Sequence, residues 1–159
     1  MGTKRVGLAR VEALIENLNR DLALGGGSIS GQKKAVLTTT ADTTLTDADS
    51  GKLILLNGAV DHDVTLPSPA AGLNFKFVLI DATADVDVVQ AGASDDFKGG
   101  LSTIADAAGD TPAAGDTKIV FDQSGGAAIG DTVSLECDGT NWFVSGVVAA
   151  ALGVVFHGA

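Results

Sequence analysis

From Ala35 onward the chain is built of short runs rich in Val, Ile, Leu, Thr and Phe, each closed within a few residues by Gly, Asp, Asn or Pro. β-Branched and aromatic side chains suit a pleated, half-buried surface, and the bounding residues are those that turn a chain, so the runs read as strands and the gaps as turns. The runs fall at about 35–40, 43–46, 52–56, 62–66, 73–80, 85–90, 117–121, 132–137, 141–149 and 153–157. In the fifth, Leu73, Phe75, Phe77 and Leu79 alternate with Asn74, Lys76, Val78 and Ile80, which puts Phe75 and Phe77 on one face, the core face. The expected body is mainly β, either an antiparallel β-sandwich or a jelly-roll or barrel-like domain.

The hydrophobic share is 45%, but aromatics make up only 4% and Tyr is absent, so the core is made of small pieces. That raises the weight of Trp142, the single tryptophan. It follows Asp138-Gly139, which sits between the strand-like runs through Leu135 and Val144 and is expected to supply the positive φ angles of a hairpin turn. Leu135 and Trp142 join Phe75 and Phe77 as core residues, and a stacking platform for a sugar or base is the weaker reading of the indole.

Residues 3–24 carry a different period. Leu8, Val11, Ile15, Leu18 and Leu22 recur at spacings of three, four, three and four, an a/d seam, and Gly25-Gly26-Gly27 ends it. About two heptads make a helix that is marginal alone in water and needs a partner surface. That surface is either the chain's own domain or, as the triglycine hinge favours, a neighbouring copy or a larger particle. The expected organisation is a helical arm and glycine hinge over 1–27 and a β-rich domain over 28–159. Arg5 and Arg10 accompany the seam as contact candidates, because Lys4, Arg5, Arg10, Arg20, Lys33 and Lys34 all lie in the first 34 positions.

Overall, 10 basic and 20 acidic residues give a formal charge of −10, which repels phosphate backbones and anionic lipid heads and argues against nucleic-acid or membrane partners. No stretch approaches the roughly 20 apolar residues of a membrane span, and none has the layout of a secretory leader. The lone Cys137 can form no intrachain disulfide, so packing and self-association must hold the domain together. Residues 91–116 are small, acidic and glycine-rich around Phe97, Leu101 and Ile104. They read as a surface excursion with one short strand near Leu101, and less readily as a ligand loop.

A reactive centre is hard to assemble from this chain. His62 and His157 are the only histidines, and neither stands beside a nucleophile or a set of metal ligands. In a strand, Asp61 and Asp63 share a face without His62. Asp85 with Asp87 and Asp95 with Asp96 lack a twelve-residue cation loop with its terminal Glu, so solvation accounts for them better than calcium. Cys137 reads as buried and inert. Gly25 to Gly27 and Gly125-Gly126 lack the Lys-Ser/Thr of a phosphate loop. No enzymatic activity, metal or cofactor is expected.

Two motifs and the opening carry a resemblance. Val64 to Phe77 (VTLPSPAAGLNFKF) is similar to a segment of virion structural domains, and Gly130-Asp131 to Leu135, with Asp138-Gly139-Thr140-Asn141-Trp142 and Gly146, is similar to their closing hairpin. Met1 to Arg10 (MGTKRVGLAR) looks like the start of small capsid-associated proteins of marine phages. The chain thus resembles the small β-structured head and fibre proteins of tailed bacteriophages. The resemblance implies a trimeric decoration or cement protein, assembled in the host cytoplasm, with the major capsid protein as its partner on the outer capsid of the virion. A tail-fibre or adhesin module binding host carbohydrate is the alternative, weakened by the lack of a long coiled coil, collagen-like repeats or a histidine-rich spike.

Overall fold

A computed structural model describes residue 31 and residues 33–91, 97–104 and 109–158. The helical seam Leu8, Val11, Ile15, Leu18 and Leu22, with Arg5 and Arg10, lies outside the described residues, as do Asp95 and Asp96. The chain divides into two compact units, Met1–Lys33 and Lys34–Ala159.

The second unit is mainly β. Its described strands are β1 (Val36–Thr39), β2 (Thr43–Thr44), β3 (Leu53–Gly58), β4 (His62–Thr65), β5 (Asn74–Ala82), β6 (Val86–Val89), β7 (Phe97–Thr103), β8 (Asp116–Phe121), β9 (Thr132–Cys137), β10 (Trp142–Val148) and β11 (Val154–Gly158). They form a six-stranded sheet in the order β1-β3-β5-β9-β10-β7 and a five-stranded sheet in the order β11-β8-β6-β4-β2.

Both sheets are mixed, which corrects the expectation of an antiparallel body. β1, β3 and β5 pair parallel in one sheet while β2, β4 and β6 pair parallel in the other. The chain therefore crosses from sheet to sheet at each strand, and every pair of strands lays one more rung on the last. Parallel neighbours need a crossover, and here the crossover is the strand on the opposite sheet rather than a helix. Antiparallel pairing enters afterwards, where β9 lies between β5 and β10 and β8 lies between β6 and β11.

Between the sheets, alternate residues of each strand are buried. β5 contributes Phe75, Phe77 and Leu79, β9 Val133 and Leu135, and β10 Trp142, Val144 and Val148. The opposite sheet contributes Val64, Val86, Val88, Ile119, Phe121, Val154 and Phe156. Trp142 is 1% exposed and packs its ring 5.8 Å from that of Phe75. His62 also points inward. Its Nδ1 lies 3.0 Å from the Val60 carbonyl and its Nε2 3.1 Å from Thr39 Oγ1 on the facing sheet. A carbonyl can only accept, so the ring proton belongs on Nδ1 and Nε2 accepts from the threonine hydroxyl, which satisfies both nitrogens of a buried polar ring.

The segment expected as a surface excursion contains β7, which extends the six-stranded sheet by pairing parallel with β10. Phe97 and Leu101 are buried there, and Phe97 packs on Phe156 across the core. A short strand near Leu101 was expected, and β7 includes it; its full length and its place in the sheet escape a periodicity reading because Gly99 and Gly100 leave its centre without apolar side chains. Gly99 has φ +107, and a Cβ there would collide with the Val144 carbonyl oxygen, so close approach to β10 demands glycine.

The expected hairpin forms, β9 pairing antiparallel with β10 around Asp138-Gly139, and only the detail of its turn differs. The connection between β9 and β10 takes four residues, and Gly139 alone among them has positive φ. Asp138 instead accepts the amides of Thr140 and Asn141 on its side chain, an aspartate-capped turn rather than a two-residue hairpin turn. Replacing Trp142 with Ala is expected to lower unfolding stability by about 3–5 kcal/mol, the range for emptying a large aromatic from a core, as read by chemical denaturation. A loss near zero would mean the indole contributes no core packing.

Candidate functional site: the acidic face of the five-stranded sheet

The outward positions of the five-stranded sheet are where titratable side chains gather. Asp63 on β4 and Asp87 on β6 are register partners, and Lys118 on β8 stands beside His157 on β11. Together with Asp61, Asp85 and Asp122 they line a shallow concavity of about 370 Å³. A second hollow, about 590 Å³, adjoins it and is lined by Asp110, Ser124, Leu152 and Phe156, sharing Asp122 and His157 with the first.

Most carboxylates in this group have a local occupation. Asp42 accepts the amide of Asp63 at 3.0 Å, Asp61 that of Asp85 at 2.9 Å, and Asp85 that of Gln123 at 2.7 Å. Successive rungs are thus joined by a carboxylate of one strand end holding a backbone N–H of the next. Asp87 takes the Lys118 ammonium at 2.7 Å. Asp122 accepts the Ser124 hydroxyl and the Gly125 amide, and these bonds, with a smaller contribution from the charge of His157, hold its carboxyl below the ordinary range.

Solvation therefore does not explain most of these charges; they cap turns. Asp61 and Asp63 are exposed while His62 between them is buried, so the Asp-His-Asp triplet is split across the strand. Among the described residues no group of three or more His, Cys, Asp or Glu side chains is placed to hold a metal ion. Ser124, Asp122 and His157 share a neighbourhood, but the serine hydroxyl donates to the aspartate at 2.7 Å, so this contact does not set the histidine to take the serine's proton. Cys137 is buried on β9, with the Gly139 amide 3.3 Å from its sulfur. The face can attract cationic groups, and Asp42, Asp61, Asp85 and Asp122 are held in place by the backbone bonds they make.

The core candidates Phe75, Phe77, Leu135 and Trp142 come together on the inner face of the six-stranded sheet, where Phe75 and Leu135 are register partners across β5 and β9. The proximity of Asp122 to His157 has no local sequence signal, since it depends on β11 folding back onto β8. No helix among the described residues is long and apolar enough to cross a membrane. No family model matches the chain, and no curated protein matches it.

Acid is the cheapest probe of the turn-capping carboxylates. Asp49 accepts the Thr46 amide and hydroxyl and the Lys52 ammonium, and the lysine contact foremost lowers its pKa to about 2. Asp138 is likewise held low by the amides of Asn141 and Thr140. A carboxylate whose folded pKa is depressed adds stability above its unfolded pKa of about 3.9, and that stability is lost as pH falls through the folded value. Stability is therefore expected to drop between about pH 4 and pH 2, and Asp49→Asn to flatten the drop, as read by denaturant midpoints across that range. An unchanged slope in the variant would show that Asp49 is not linked to folding.

Proposed function

We propose that this chain is a viral structural protein that decorates and stabilises an outer capsid as a cement trimer, with no catalytic role. One observation supports the reading most. The two stretches that resemble virion structural segments lie side by side on β5, β9 and β10, and their described residues serve packing and turning. The Cys137 amide donates to the Leu73 carbonyl, Gly72 donates to the Cys137 carbonyl, and Phe75, Leu135 and Trp142 pack beneath. Gly139 closes against Ala71, so the two motifs meet at their turns as well. A pair of motifs that define one packing unit suits a module kept for its shape.

The acidic turns agree with this use. A shell carries many copies at high local density, and a carboxylate-rich surface keeps such copies dispersed until they are seated. Three linked copies can then hold a shell firmly through small individual contacts, because the second and third engage at high effective concentration. The carbohydrate-binding alternative, which would use the 91–116 segment, is weakened because Phe97 and Leu101 of that segment face the core.

The purified protein is expected to run as a trimer and to co-sediment with empty phage heads while failing to bind glycans. Glycan binding without affinity for heads would reverse the choice in favour of the adhesin. Deleting residues 1–24 is expected to leave the β unit folded by circular dichroism but to weaken trimerisation or attachment to heads. Unchanged sedimentation and unchanged head binding after the deletion would remove the arm from the account.

A further inference from the structure

The two outer faces of the β unit differ in charge. On the five-stranded sheet the outward positions include Asp63, Asp87 and Lys118, with Asp42, Asp61 and Asp85 at the rim. The outward positions of the six-stranded sheet hold a single aspartate, Asp81, beside Asn57 at one end, and its carboxylate is occupied by the Thr83 amide. Strand alternation and register place Leu55, Val78, Thr132, Val147 and Ser102 in one row across it, next to a row holding Lys76, Ser134 and Ser145. Phe143 is 47% exposed and Val147 51% exposed on this face, with Ile80 and Val36 also in solvent. Its charges are of both signs: Lys76, Lys98, Glu136 and, at one end, Asp81.

We infer that the outer face of the six-stranded sheet is where copies of this chain meet. The charge pattern selects the occupant. Two bodies this acidic repel one another wherever their aspartates approach, and this face lets them touch without bringing carboxylate rows together. Lys76, Lys98 and Glu136 can pair across a symmetric contact, whereas a cationic partner would find its complement on the opposite face. Six strands at about 4.8 Å spacing span roughly 24 Å, and strands of this length run about 20 Å, a footprint of about 500 Å² per copy, which suits a weak, concentration-dependent contact. Apolar side chains grouped on an otherwise polar surface, with hydroxyls and mixed charges around them, have the make-up of such a contact.

The inference rests on the self-association in the function proposed above and adds the surface that carries it. It is tested on the full chain with no capsid present, by sedimentation velocity over a concentration series. The wild type is expected to exceed the 15.8 kDa of one copy. Val147→Glu and Phe143→Glu are expected to raise the dissociation constant at least about tenfold, while the β-branched Val147→Thr keeps the association. Ile129→Glu and Leu152→Glu, at apolar positions equally open to solvent but in turns, are expected to leave it unchanged. Ser145→Arg, outward on the same face, serves if the strand variants fail to fold by circular dichroism. A wild type that stays at the mass of one copy overturns the inference, as does an assembly that survives the face variants. A chain that associates through this face but ignores phage heads overturns the capsid reading and leaves this one standing.

Discussion

The fold depends on turning the chain from one sheet to the other in three residues, and the interaction that makes the turn possible is an oxygen side chain holding a backbone amide. Asn57 accepts the amide of Ala59, and Asp81, its register partner on the next rung, accepts the amide of Thr83. A corner this short leaves N–H groups that no strand can satisfy, and each would carry the cost of a broken hydrogen bond if it were left bare inside the stack. The same device recurs deeper. Asp131 is only 4% exposed, yet its two oxygens accept the amides of Ala128 and Ala149, tying the start of β9 to the turn that follows β10. The acidity of this chain is in good part the chemistry of its corners.

Once the corners are set, burial does the rest. Each crossing delivers an alternating strand to both sheets, so every rung adds inward apolar residues on two sides at once, and β9 and β10 close the wall by laying Leu135 against Phe75 and Trp142 over it. With few aromatics to fill the space, the interior sets Trp142 on Phe75 where the two motif segments meet, Phe97 on Phe156 farther along, and mostly branched aliphatic residues around them. Thr39 and His62 add a satisfied polar bridge between the sheets near the first rung. A buried polar pair of that kind fixes which residues face one another more strictly than Val or Leu contacts can.

The strands were legible because alternation and turn residues are local signals, and the face of Phe75 and Phe77 could be read directly from the run Leu73 to Ile80. Direction was not. A period of two states which side of a strand is buried and says nothing of how its neighbour runs, so three-residue corners between sheets looked like hairpin turns within one. Of β7 only the stretch near Leu101 could be read, because the close approach of β10 replaces its central side chains with Gly99 and Gly100. The aspartates looked like solvated charge because their partners are backbone amides on other rungs, as with Asp61 and Asp85, and sequence proximity does not show that pairing. The inward turn of His62 could be inferred from alternation, but its bond to Thr39 spans 23 residues and needs the fold.

A stack of parallel rungs ends in open edges, and how this chain treats them bears on how it meets other molecules. An unpaired strand edge invites another strand to pair with it, which is the common route to uncontrolled association. Here β2 is two residues long, β11 is displaced from regular register at His157 and Gly158, and β7 is bridged on its outer side by Asp110 through Leu101. β1 has only four residues. Edges this short, shifted or covered offer little length for strand addition. Association that is to be specific is then left to side chains on a face, where shape and charge select the partner, and the face of the six-stranded sheet is the one where aspartate is sparse, with Asp81 alone at one end.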